Sequence, residues 1–186
     1  MKPAPNFQLT LPFKNAQEVE DLAEAYGYEN DDSARRAGKR LWRRVGNIHE
    51  VLEINKWKNP KNRNLSPLRE NDTDEVLFRL SSARRMCKDQ YWMAALDLLV
   101  GLRGINYPTA TALLAMLLPD SFPIIDFRAW RSCTGELRTN FDARRTRTYV
   151  ESCMFWSSEL ALDLRKLDRA LWRLDDERFG KRRKAA

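Results

Sequence analysis

The chain has 186 residues, 43% of them hydrophobic, which is enough for a real core and excludes wholesale disorder. Lys and Arg number 33 against 26 Asp and Glu, a net charge of +7 that points to a polyanionic or acidic partner. The longest uncharged stretch, Gly104 to Pro119, contains Asn106, Thr109 and Thr111 and is too short and too polar to cross a bilayer.

In chain order, residues 1–14 carry Pro3, Pro5 and Pro12 and read as an irregular lead-in. Helical periodicity then places helices at about 15–26, 33–45, 47–57, 73–89, 91–102, 107–118, 126–133, 142–156 and 158–177. The Asn- and Pro-rich segment 58–72 reads as a long loop, and 178–186 as a basic tail. Val, Ile and Thr are outnumbered by Leu and Ala, which favours helices over strands. The expectation is an all-α fold with a single domain over 15–177.

Three cysteines (Cys87, Cys133 and Cys153) are odd in number and widely spaced, so no disulfide framework, zinc site or iron–sulfur cluster is expected. No basic-then-apolar signal pattern opens the chain. These features suggest a cytoplasmic protein, nucleoid-associated in a bacterial cell, that acts as a monomer. The sole histidine, His49, has no second histidine at metal-ligand spacing.

Positive charge comes in blocks. Residues 35–63 contain ten Lys and Arg against two Glu. On a helix through 34–45, Ala34, Ala37, Leu41 and Val45 share one face, which gathers Arg36, Arg40, Arg43 and Arg44 on another. A second basic group, Lys56, Lys58, Lys61 and Arg63, surrounds Trp57. A solvated charged face explains either block alone; the two together suggest a track for a polyanion.

The stretch Leu99 to Arg131 is the most informative. Apolar faces precede and follow Gly104-Ile105-Asn106-Tyr107-Pro108-Thr109. Gly104 suits a left-handed helix end, Asn106 suits a cap, and Pro108 suits a first helical turn. The result is a tight two-helix hairpin (91–118) with Ile105 as an inward anchor. The N–H groups at its second helix are placed to meet a phosphate.

With these residues the chain resembles the helix-hairpin-helix DNA glycosylase superfamily, whose hairpin commonly reads Leu-Pro-Gly-Val-Gly-x-x-Thr-Ala. The matching segment here is Leu102 to Ala110. The family places a catalytic aspartate after the second hairpin helix, and Phe122-Pro123-Ile124-Ile125-Asp126 supplies one at the matching interval, with Arg131 five residues on. The resemblance implies a helical fold of two small lobes around a cleft and binding to double-stranded DNA. It further implies that Gly104, Ile105, Asn106, Tyr107, Pro108 and Thr109 form the phosphate seat. Bifunctional members carry a lysine where this chain has Pro108, so the implied activity is monofunctional base removal by water. Asn106 replaces the second hairpin glycine. The four-cysteine cluster of some members is absent, which leaves a monovalent cation at the hairpin carbonyls as the one implied metal.

Cleavage of an N-glycosidic bond builds positive charge on the sugar, which a carboxylate at Asp126 would stabilise while positioning water. The same residue also reads as a helix cap after Pro-Ile-Ile. Arg128 and Arg131 either grip phosphate or pair with acidic neighbours. Glu50, Trp57 and His49 are candidates to line a base pocket. Tyr91, Trp92 and Trp130 are candidates for its walls or for the core. The rival readings are a non-catalytic nucleic-acid-binding module and a protein whose basic face meets acidic proteins.

Overall fold

The structure, a computed structural model, describes residues 9–27, 31–43, 46–61, 65–118 and 121–180. Among them are ten α-helices and no strand. These are α1 (Ala16–Glu24), α2 (Asp31–Trp42), α3 (Ile48–Lys58), α4 (Leu65–Arg69) and α5 (Thr73–Lys88), followed by α6 (Trp92–Val100), α7 (Tyr107–Leu117), α8 (Phe127–Thr134), α9 (Ala143–Leu160) and α10 (Leu164–Phe179). The chain is all-α, as expected.

Helix starts are written in the sequence. Seven helices open on Asn15, Asn47, Asp72, Asn106, Asp126, Asp142 or Asp163, each accepting a first-turn backbone N–H through its side chain.

Three expectations are corrected. The segment expected as loop holds the short helix α4, anchored where the Asn71 side-chain amide donates to Arg103 O at 2.9 Å and accepts from Arg103 N at 2.9 Å. Helix α9 runs past the expected break and ends at Ala161 in a left-handed conformation, φ 53°. In the hairpin, α6 ends at Val100 with Gly101 as its cap; Gly104 does adopt φ 78°, one short turn later. The lead-in is tied down at its inner end, with Phe13 buried and Leu9 N–H donating to Ser152 Oγ at 3.0 Å.

Helix α7 is the centre of one group of helices. Every residue from Thr109 to Leu117 is buried, and α2, α3, α5 and α6 pack around it. In a second group, α10 carries α1, α8 and α9. One continuous apolar core runs through both.

Gly38 sets the α2–α7 approach. A Cβ there would lie 2.1 Å from the Met116 carbonyl oxygen and 2.6 Å from its carbon. Gly to Ala inside a helix ordinarily stabilises by about 1 kcal/mol. Here Gly38→Ala is expected to destabilise by about 1–3 kcal/mol, because backbone must move. A urea-unfolding midpoint above that of wild type would contradict this packing.

Candidate functional site

Three helix ends converge beside the hairpin: the C-terminus of α3 and the N-termini of α7 and α8. The buried connector Phe122–Ile125 delivers the chain from α7 to α8. It is pinned on two sides, because Ile125 N–H donates to Thr111 Oγ1 at 3.3 Å and the Tyr149 hydroxyl donates to Ile124 O at 3.2 Å. Asp126 follows directly.

Both oxygens of Asp126 are engaged. Oδ1 accepts from Arg128 N at 2.9 Å and Ala129 N at 2.8 Å, so the expected cap is present. Oδ2 lies 3.3 Å from Lys58 Nζ. The Lys58 side chain is only 7% exposed, whereas that of Asp126 is 23% exposed. A lysine this buried is uncommon without a partner, and the Asp126 carboxylate is that partner.

The sequence places Lys58 in a basic block read as part of a polyanion track, and its pairing with Asp126 is not legible there. The missed signal was helical phase. Val51, Ile54 and Asn55 of α3 are all buried, and Lys58 falls on the same face at i+3 and i+4. Charge obscured what periodicity stated.

A polar chain links this pair to the hairpin. The Asn59 side-chain amide donates to Asn55 Oδ1 at 2.9 Å and to Thr109 Oγ1 at 3.2 Å. Thr109 donates from its hydroxyl (2.9 Å) and its N–H (3.0 Å) to Asn106 Oδ1. Asn55 is fully buried, yet its Nδ2 has no hydrogen-bond partner. A buried unpaired donor is costly, so this amide is an opening for an acceptor atom or a bound water.

The hairpin is pre-formed. Asn106 caps α7, Pro108 lies in its first turn, Ile105 is 6% exposed, and the Tyr107 hydroxyl donates to Asp97 Oδ1 at 2.7 Å. The loop carbonyls of Leu102 and Arg103 already accept from Ile105 N and Asn71 Nδ2.

Other candidates fall elsewhere. Arg128 pairs with Asp176 at 2.9 Å and Asp175 at 3.3 Å, and Arg131 grips Asp175 through two contacts at 2.6 and 2.8 Å. Both arginines thus clamp α8 onto α10, and their acidic partners lie more than 40 residues on. Asp175 is fully buried and holds both. Glu50 closes a capping box with Asn47 and pairs with Arg40 at 2.9 Å, nearly the full length of α3 away from Lys58. His49 is exposed on that same first turn, and Trp57 is 9% exposed in the core. The structure therefore does not bring Glu50 or His49 to Asp126.

Trp130 is buried in an edge-to-face pair with Phe141, Trp92 packs in the same way on Phe122, and Tyr91 is 68% exposed. Arg36 is exposed on α2 and Arg43 is exposed just past its end, while Arg44 lies outside the described residues. Burial pushes the Cys87 and Cys133 thiols up to about 12, which makes them poor nucleophiles.

Behind the pair lies a buried ionic cluster. Arg165 bonds Asp31 and Asp168, and Arg169 reaches Asp31 at 2.8 Å. The Asp168 carboxyl is pushed up to about 6, first by burial and then by Asp126 and Asp31, against the pull of Arg165 and Lys58. Asp126 and Lys58 thus stand within electrostatic reach of this cluster.

A cavity of about 440 Å³ opens on the α1–α10 side, lined by Glu20, Tyr26, Asp31, Lys166 and Arg169 among others. Neither Asp126 nor Lys58 lines it. Its cations are already committed, Lys166 to Glu20 and Arg169 to Asp31. Among the described residues no cluster of His, Cys, Asp or Glu is arranged to hold a metal, and no helix is long and apolar enough to cross a membrane.

Comparisons with protein-family models, with curated protein sequences and with solved structures return no significant match.

Proposed function

We propose that this chain binds double-stranded DNA as a monomer, in the compartment that holds the chromosome, and removes a damaged, mismatched or modified base by hydrolysing its N-glycosidic bond. The observation that carries this reading is the partly exposed Asp126 carboxylate, fixed by two N–H donors and Lys58 next to the N-terminus of the hairpin helix. As the glycosidic bond lengthens, positive charge grows on the sugar, and the ionised carboxylate stabilises it. Asp126 then orients water for attack at C1′. The hairpin residues Gly104 to Thr109 seat the backbone phosphate against the α7 N-terminus.

A second reading is favoured by one detail. Both Asp126 oxygens already have partners, which suits a purely structural cap in a non-catalytic nucleic-acid-binding module.

Base release from a pool of duplexes carrying different altered bases, developed with hot alkali, separates the two readings. The glycosylase reading expects alkali-dependent cleavage that Asp126→Asn reduces by about 100-fold or more. DNA binding without release from any duplex in the pool would select the binding module.

A further inference from the structure

Many of the arginines among the described residues are paired with acids. Arg79, Arg103, Arg128, Arg131, Arg165 and Arg173 each hold an Asp or Glu. A cluster of cations without acids lies on the outward face of α2 and the C-terminal half of α5. Arg36, Lys39 and Arg43 are exposed and make no ion pair with any described residue. Arg40, between them, has only the buried Glu50. Helical geometry puts Arg36, Lys39 and Arg40 on one stripe of α2, with Trp42 at its margin, and Arg43 follows the helix end with its N–H still donating to Lys39 O at 3.1 Å.

Across that margin, α5 contributes Arg84 and Lys88. The Arg84 guanidinium stacks 3.5 Å from the Trp42 ring centroid and donates to Trp42 O at 2.9 Å, so its plane is fixed on the indole. Lys88 Nζ lies 5.3 Å from the same ring. Trp42 keeps 36% of its surface exposed.

Uncompensated cations at this density repel one another, and a polyanion is the partner that relieves them. The aromatic–guanidinium platform narrows the choice. A base stacks on such a plane only where it is not already stacked in a duplex. Protein surfaces that take unpaired strands combine a basic track with aromatic platforms in this manner. We propose that the α2–α5 face is a binding site for single-stranded nucleic acid, with phosphates on Arg36, Lys39, Arg40 and Arg43 and a base on the Trp42–Arg84 platform.

The site is separate from Asp126. Gly38 of α2 sits against Met116 at one end of α7, whereas Asp126 and Lys58 adjoin Thr109 at the other. From Thr109 to Met116 is roughly 10 Å of helix. The chemistry at Asp126 and the strand site at Trp42 therefore stand or fall independently.

The test is binding of a fluorescent 12-nucleotide oligo-dT by the full chain, measured by polarisation over a salt series. Trp42→Ala is expected to weaken binding by about tenfold. Arg36→Glu with Arg43→Glu, both exposed positions, is expected to lower the salt slope by about 1.4, the value for two lost single-strand phosphate contacts. Because Trp42→Ala touches packing, acetylation of the wild-type protein supplies a second measurement. Bound oligo-dT is expected to protect Lys39 and Lys88 and to leave Lys166 reactive. Unchanged affinity and slope in the variants, equal reactivity of Lys39 with and without oligo-dT, or displacement of oligo-dT by polyglutamate at equal charge would each overturn the proposal. So would a duplex of the same length that binds more tightly and shows the same loss in Trp42→Ala. Absent base release with oligo-dT binding intact would count only against Asp126 chemistry.

Discussion

Arg165→Ala is expected to cost about 3–5 kcal/mol of folding stability, the range for removing one member of a buried ion pair. Arg165 is 8% exposed and bridges Asp31 on α2 to Asp168 on its own helix. Its loss leaves Asp168 buried with no cation in contact, while Asp31 keeps Arg169. Asp168→Asn in the same background removes the stranded charge and is expected to recover part of the loss.

Asp168 also gives the ion cluster a pH signature. Its carboxyl rises from an ordinary value of 3.8 to about 6 on folding, so between these limits the folded state holds a proton that the unfolded chain has lost. The contribution of Asp168 to stability is therefore least above pH 6 and grows as the pH falls toward 4. Urea midpoints of wild type and Asp168→Asn at pH 7, 6, 5 and 4 measure it. A difference between the two proteins that stays constant over this range would contradict the assignment.

Lys58→Met is the second large effect, and it falls on activity. Methionine preserves length and apolar packing, and the substitution removes a buried cation, so stability is expected to change by less than about 1 kcal/mol. Base release is expected to fall by about 100-fold, because Asp126 Oδ2 loses the charge that orients it. Equal rates in the two proteins would make Lys58 a buried bystander.

What could be read from the sequence was what local chemistry writes. Asn106 and Asp126 announce their caps, Gly104 its positive φ, and the apolar phase of 107–118 the central helix. Contacts distant in the chain could not be read. Arg131 reads equally as a phosphate ligand or an ion-pair partner until the fold brings Asp175 of α10 to it, and α4 forms where local composition speaks for a loop. Ala161 in a left-handed conformation carries no residue-level warning of the α9 end. Lys58 lies between these cases, because its phase on α3 marked it as core while its charge argued otherwise.

The most direct measurement is a crystal structure of Asp126→Asn bound to a duplex that contains an abasic-site analogue. The predicted result places the sugar C1′ beside residue 126 and Lys58, with a backbone phosphate at the α7 N-terminus and Asn106 still capping. A duplex that leaves residue 126 and the hairpin uncovered would contradict the account.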